Sequence, residues 1–265
     1  MKKMNLRLKA IDLVLKTLVC TTATLILSAA HAATDDSGKG GDIVEDYRKP
    51  VSDIVELHYP IEPDKPYKQR RNTNGFMLSI GYENVLFNQY LSAIDFTTPY
   101  SDMFGSSEIQ VYKVEANYKF NFSLGSLMAG MGLGYGTLSS VGSGTMHSIE
   151  ISKYSASLSY VMDALANEPY VAPYVTAGLM QLDLKETSET DSQSGSIQMA
   201  MFYQAGLLVQ LNWLDDAVSR KALMDYGLQN TYADLFISHY EPSSSPDDPN
   251  TGTGWNLGAG LRLEF

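Results

Sequence analysis

The 265-residue chain has one cysteine, Cys20, and two tryptophans. Cys20 lies in an apolar run from Leu13 to Ala29 that follows Lys2, Lys3, Arg7 and Lys9 and closes on Ala30-His31-Ala32. A basic start, a short apolar stretch and an A-x-A end read as a secretory signal peptide over residues 1–32, cleaved after Ala32. Val19 is too bulky for lipoprotein processing at Cys20. Losing this segment removes the only cysteine, which excludes a disulfide, a thiolate nucleophile and a cysteine metal site from the remainder. Long hydrophobic runs are missing as well. Lys16 interrupts the leader's run, which falls short of the ~20 residues a spanning helix needs, and nothing downstream comes closer. A membrane crossing therefore has to be made by strands closed into a barrel, which satisfies every backbone group without water. Positive charge is scarce: 19 Lys and Arg face 30 Asp and Glu, a net −11. The leader carries a net +4, so its removal takes −11 to −15 and argues against nucleic acid as a partner.

What the chain does have is alternation, together with 21 Gly and 17 Tyr. In Trp255-Asn-Leu257-Gly-Ala259-Gly-Leu261-Arg-Leu263-Glu-Phe265 the odd positions are apolar and the even ones polar or glycine. Period 2 places these sets on opposite faces of a strand. Lipid outside and a polar lumen inside satisfy both faces at once.

Eight such segments are expected from Phe76 onward. The first turns Phe76, Leu78, Ile80 and Tyr82 out and Ser79, Gly81 and Glu83 in. The second, Glu108 to Phe122, sets Tyr112, Val114, Ala116, Tyr118, Phe120 and Phe122 against Lys113, Glu115, Asn117 and Lys119. The third, Leu127 to Leu138, has Gly130, Gly132, Gly134 and Gly136 on its inward face, making room for long charged chains opposite. The fourth, Ser148 to Ala164, points Lys153, Ser155, Ser157, Ser159 and Asp163 inward. The fifth, Tyr170 to Leu184, is too blurred by Pro173 and Gly178-Leu179-Met180 for its faces to be assigned. The sixth, Ile197 to Trp213, puts Gln198, Gln204 and Gln210 inside; the seventh, Leu228 to Tyr240, does so with Asn230, Asp234 and Ser238.

Residues 74–265 thus read as an all-β, eight-stranded antiparallel up-and-down barrel. Residues 33–73, broken by Pro50, Pro60, Pro63 and Pro66, read as an irregular periplasmic N-terminal extension. With both barrel ends in the periplasm, Leu214 to Tyr226 forms a periplasmic helical turn capped by Asp215-Asp216, and the segments 87–106, 185–196 and 241–253 are extracellular loops. Their acids include Asp95, Asp102, Glu186, Glu189, Asp191, Asp247 and Asp248. Aromatic belts are expected at Phe76, Phe120, Phe122, Tyr170, Trp213 and Phe265 on one edge, and at Tyr112, Tyr240 and Trp255 on the other.

The candidate functional residues are the lumen charges Glu83, Lys113, Glu115, Lys119, Lys153, Asp234 and Arg262. Eight strands enclose only enough space for side chains to fill, so these charges are expected to pair into a plug; a narrow channel needs the pairs to exchange. His58, His147 and His239 lie far apart and show no metal-ligand spacing, so neither a metal nor a cofactor is expected.

The closing strand resembles that of small bacterial outer-membrane barrels of the OmpA, OmpX and OmpW type, and Phe265 resembles the terminal signal read by the barrel-assembly machinery. That resemblance implies a monomeric, porin-like protein of the Gram-negative outer membrane, in contact with its lipid and lipopolysaccharide, with a structural or surface-interaction role and no enzymatic activity. Ser238-His239-Tyr240-Glu241, followed by Pro249-Asn250-Thr-Gly252, resembles a segment of outer-membrane lipid A deacylases. In that family the position of Glu241 is a nucleophilic serine, so a hydrolase at the outer wall stands only as an alternative.

Overall fold

The computed structural model describes residues 65–142 and 145–265, and the side chains of residues 141–145 are left aside. The expected leader and most of the expected extension lie outside the described residues. The first described element is a short helix, α1 (Tyr67–Arg70), followed by strand β1 (Asn74–Val85). Helix α2 (Tyr100–Phe104) interrupts the connection to β2 (Ile109–Phe122). The next strands are β3 (Gly125–Gly142), β4 (Thr145–Val161), β5 (Val171–Ser188), the short β6 (Ser192–Ser196) and β7 (Ala200–Gln210). Helix α3 (Asp216–Tyr226) precedes β8 (Asn230–Tyr240) and β9 (Asn256–Glu264).

Apart from β6 and β7, which both pair with β5, each strand pairs antiparallel with its neighbour in the chain, and the pairings of β4 with β5 and of β1 with β9 close the circuit. The result is a closed eight-stranded up-and-down barrel, in which β6 and β7 share one position beside β5. Closure leaves no free edge in the wall, because the terminal residue is stitched to the first strand: Phe265 N–H donates to the Phe76 carbonyl (2.8 Å) and Phe76 N–H to the Phe265 carbonyl (3.0 Å).

Side-chain distribution is inverted relative to a soluble barrel. Ile80 (62 % exposed), Val114 and Leu158 (68 %) stand on the outer surface with Tyr112, Leu133, Leu207 and Leu261. Glu83 (0 %), Lys119 (1 %) and Arg262 (2 %) are buried inside. An apolar wall around a polar filling is stable only with hydrocarbon outside, which makes this a membrane-spanning barrel.

The inward rows of β1, β2, β3, β4, β8 and β9 follow the alternation read from the sequence. In β5 the even residues face in, with Tyr174, Met180, Leu182 and Leu184 buried. Strand six departs from expectation at Gln198, which is exposed, while Ile197 is buried. The cause is a bulge. Met180 pairs with Ala200 but Asp183 pairs with Ser196, so residues 181–182 oppose the three residues 197–199, and the inward phase flips across the extra one.

The two ends of the barrel differ. At the end carrying the termini, Ser123-Leu124 makes a tight turn from β2 to β3, and α3 fills the β7–β8 connection. Asp215 caps α3 by accepting from Val218 N–H (3.0 Å), and Gly227, left-handed at φ 70°, ends it. At the opposite end the β3–β4 and β5–β6 hairpins run past their neighbours: β3 stays paired with β4 to Gly142–Thr145, but with β2 only to Gly136–Val111. These four strands form a sheet that rises beyond the barrel rim.

Candidate functional site

All seven lumen charges named from the sequence lie inside the barrel, where they separate into three groups along its length. Nearest the termini, Lys119 Nζ sits 2.6 Å from Asp163 and also bonds Glu264. Asp163 is held in addition by Arg71 (2.9 Å) and by the Ser126 hydroxyl (2.6 Å). Glu264 accepts from Asn230 (3.0 Å) and Tyr232 (3.1 Å). Helix α1 completes this group from below, its Tyr67 hydroxyl donating to Glu264 at 2.6 Å. Burial by itself would raise the Asp163 carboxyl, but the Lys119 charge, hydrogen bonds from Lys119 and Ser126 and the Arg71 charge hold it below the usual carboxylate range.

In the middle, Arg262 Nε donates to Asp234 (2.8 Å) and its guanidinium lies 4.4 Å over the Tyr174 ring. The Tyr174 hydroxyl donates to the other Asp234 oxygen (2.8 Å). Lys113 pairs with Glu115 (3.2 Å), donates to Gln204 (3.1 Å) and covers the Phe236 ring at 4.0 Å. Toward the loop end, Glu83 pairs with Lys153 (2.7 Å) and accepts from Ser238 (2.7 Å) and from Tyr240. Every one of the seven charges has an opposite charge in contact, so none is left bare in the interior.

The glycine row of β3 makes this packing possible. A Cβ on Gly130 would overlap the Asn117 side chain and come within 2.7 Å of the Ala116 carbonyl oxygen. On Gly132 it would meet the Ser155 hydroxyl at 2.7 Å and Glu115 at 3.0 Å.

The loop end is sealed by a segment that the sequence presents only as an extracellular loop. Between β1 and β2 the chain folds back over the lumen, burying Phe87, Tyr90, Tyr100, Met103 and Phe104 against Ile149, Ile151, Leu182 and Ile197. Tyr100 packs edge-on to both Phe87 and Tyr90, at 6.5 Å in each case. Glu186, expected among the solvated loop acids, is 1 % exposed and faces in. It fastens the cap by accepting from Tyr90 Oη (2.9 Å), Ser92 Oγ (2.6 Å) and Ala93 N–H (2.8 Å). Among the described residues no cation pairs with it. Burial and the neighbouring Glu186 charge push the Tyr90 hydroxyl far above its usual range, so it stays a donor.

Several residues that build these groups carry little sequence signal. Tyr67 and Arg71 come from the segment expected to be irregular, and Tyr240, expected in the outer aromatic belt, is 1 % exposed and belongs to the Glu83 group. Its even position on β8, shared with Asn230, Asp234 and Ser238, is the signal that places it inside.

On the outer wall His239 lies 3.4 Å from Glu241, 5.5 Å from the Trp255 ring and 3.2 Å from the Gly254 carbonyl. Among the described residues no serine or threonine hydroxyl bonds its ring, and no three His, Cys, Asp or Glu side chains gather as a metal site.

No protein-family model and no curated protein matches the chain. Among solved structures it is similar to the N-terminal β-barrel domain of Pseudomonas aeruginosa OprF, at 15 % identity and a TM-score of 0.41 over 73 % of this chain and 98 % of that one. Neisserial surface protein A is similar at 11 % identity and a TM-score of 0.43, over 73 % and 98 %. Ail, the attachment invasion locus protein of Yersinia pestis, is similar at 13 % identity and a TM-score of 0.40, over 72 % and 97 %.

Proposed function

We propose that the chain is a non-enzymatic, monomeric barrel of the Gram-negative outer membrane, exported on a cleaved leader, with a structural or surface-interaction role. Its outer wall sits against membrane lipid and lipopolysaccharide, and the barrel-assembly machinery reads Phe265. The observation that carries this reading is the continuous interior. Three ion-paired groups fill the lumen, Tyr67 enters it at one end, and the aromatic cap held by Glu186 covers the other. A transport path through such an interior would have to break buried pairs, each at a cost of about 3–5 kcal/mol. What is left facing outward at the loop end is the sheet of β3 to β6, whose β6 residues are all exposed.

Planar-bilayer recording of the membrane-inserted full chain tests this reading. A silent membrane, with insertion confirmed by heat-modifiable gel mobility, is the expected result. Discrete current steps whose ion selectivity changes in Arg262→Ala would overturn it in favour of a narrow channel.

A further inference from the structure

We infer that the free edge of β6, at the loop end of the barrel, takes up an extended polypeptide segment as an added antiparallel strand, with one Lys or Arg of that segment seated in a cavity over Gly195. The inference deepens the surface-interaction reading above and rests on it.

The register of the β5–β6 hairpin decides which backbone groups are free. Ser188 N–H donates to the Asp191 carbonyl and Ile197 N–H to the Leu182 carbonyl, each at 2.8 Å. Opposed residues of an antiparallel pair alternate between those that exchange hydrogen bonds and those that do not. Residues 191, 193, 195 and 197 therefore direct their backbone groups at β5, and Ser192, Ser194 and Ser196 direct theirs away from it. Among the described residues nothing pairs with the outward groups of these three serines, and all five residues of β6 are exposed. Such a row is a template for one more strand.

On the inner face of the hairpin Gly195 stands opposite Leu184. The space above it is open, since a Cβ there would meet nothing within 4 Å. Gly195 lines a cavity of about 200 Å³ together with Phe96, Leu184, Ile197, Pro249, Asp247 and Asp248. Small-molecule sites hold about 300–1,000 Å³, so this one suits a single long side chain. In strand addition, the incoming residue opposite Gly195 shares its face, and the glycine leaves the way in clear.

The lining selects that side chain. Leu184, Ile197 and Pro249 offer apolar contact to a stem, and Asp247 and Asp248 offer carboxylates to a head. Lys185 is the single Lys or Arg in the segments 87–106, 185–196 and 241–253, and it pairs with Glu150 at 3.5 Å. Asp247 and Asp248 are thus left without a cation among the described residues. Phe96, 67 % exposed and held at a φ of 58° that phenylalanine rarely adopts, adds an aromatic ring for a cation to pack on. The charge of Glu186, buried in the cavity wall, strengthens the negative field without touching the occupant. Lysine and arginine combine an apolar stem with a cationic head. A second copy of this chain would bring the same acids to the rim, so like charges oppose edge-to-edge dimers.

The test titrates the full chain in maltoside micelles into fluorescein-labelled Thr-Val-Thr-Lys-Thr-Val-Thr and follows anisotropy. Saturable binding is expected, at least tenfold weaker when Glu replaces the Lys. In the added strand the two Thr beside the Lys bond to β6, and the Lys N–H points to solvent. Methylating those two Thr nitrogens should therefore weaken binding at least tenfold, and methylating the Lys nitrogen should leave it unchanged. Equal weakening by both, or by neither, overturns strand addition. Gly195→Phe, which fills the cavity from its floor, should abolish binding with heat-modifiable mobility intact, and binding like the parent overturns the site. Asp247→Asn should weaken the Lys peptide at least threefold and spare its norleucine version; an equal effect on both overturns the choice of a cationic side chain. Spermidine competing as well as the peptide reduces the site to an acidic surface, and a dimer in sedimentation that Gly195→Phe dissolves makes the occupant a second copy; either result overturns the inference. Failure to bind by a chain with a heat-modifiable band overturns this inference alone, whereas a chain that never shows the band overturns the barrel reading as well.

Discussion

Arg262→Met is the most direct probe of whether the lumen is dry. Arg262 is 2 % exposed and its Nε lies 2.8 Å from Asp234, itself 3 % exposed. Methionine keeps much of the volume over the Tyr174 ring but strands the Asp234 carboxylate with the Tyr174 hydroxyl as its remaining hydrogen-bond donor. Leaving one buried charge uncompensated costs about 3–5 kcal/mol, roughly two to four orders of magnitude in the unfolding equilibrium. Asp234→Asn alone should cost a similar amount. The double variant removes both charges, so it should cost less than either single variant, far from the roughly 6–10 kcal/mol that adding the two single losses would give. Urea unfolding of the vesicle-inserted chain, followed by tryptophan emission, measures all four corners. If the single variants each lose less than about 1 kcal/mol and the double variant shows their sum, water screens the pair as it does at a surface. The lumen would then be wet, and the argument against conduction would fail with it.

Glu186→Leu strands three donors of the cap, at about 1–3 kcal/mol each. Limited proteolysis should then cut within residues 86–108 while heat-modifiable mobility stays intact, and an uncut loop would show that Glu186 does not hold it. Gly130→Ala should destabilise the barrel by about 1–3 kcal/mol through overpacking against Asn117, whereas Gly195→Ala, which meets nothing within 4 Å, should be close to neutral in the same unfolding assay. The Asp163 carboxyl is depressed in the fold, so its contribution is full above the unfolded value of about 3.9 and is lost as pH falls through the lower folded value. Unfolding free energy followed from pH 6 down to pH 2 should therefore fall less steeply in Asp163→Asn than in the parent, and identical slopes would remove Asp163 from the acid response.

The barrel wall was legible because a membrane reverses the usual contrast between faces. A row such as Lys113, Glu115, Asn117 and Lys119 opposite Tyr112, Val114, Tyr118 and Phe120 admits one orientation once lipid is outside. β5 was not legible because both of its rows are greasy: Val171, Val175 and Leu179 face lipid, while Tyr174, Met180 and Leu182 pack the cap and the lumen. The cap escaped for a different reason. Phe87, Tyr90, Tyr100 and Phe104 have no common period, so nothing local distinguishes a loop that folds back from one that stands in water. The lumen charges could be named from alternation, but their partners could not. The contacts of Lys119 with Asp163, Glu264 and Tyr67 span from 44 to 145 positions in sequence, and barrel closure alone brings them together.

The bulge at residues 197–199 does more than exchange Gln198 for Ile197. In a closed barrel, a residue gained or lost within a wall strand turns every later side chain of that strand inside out. Here one surplus residue already sits at the junction between the wall and the projecting β5–β6 hairpin, so the hairpin has its own phase, set independently of the lipid-facing rows below. Changes of length above this point can be absorbed without rotating Met201, Tyr203 and Leu207 away from the bilayer. The hairpin that projects beyond the rim can thereby change in length without disturbing the rows embedded in lipid.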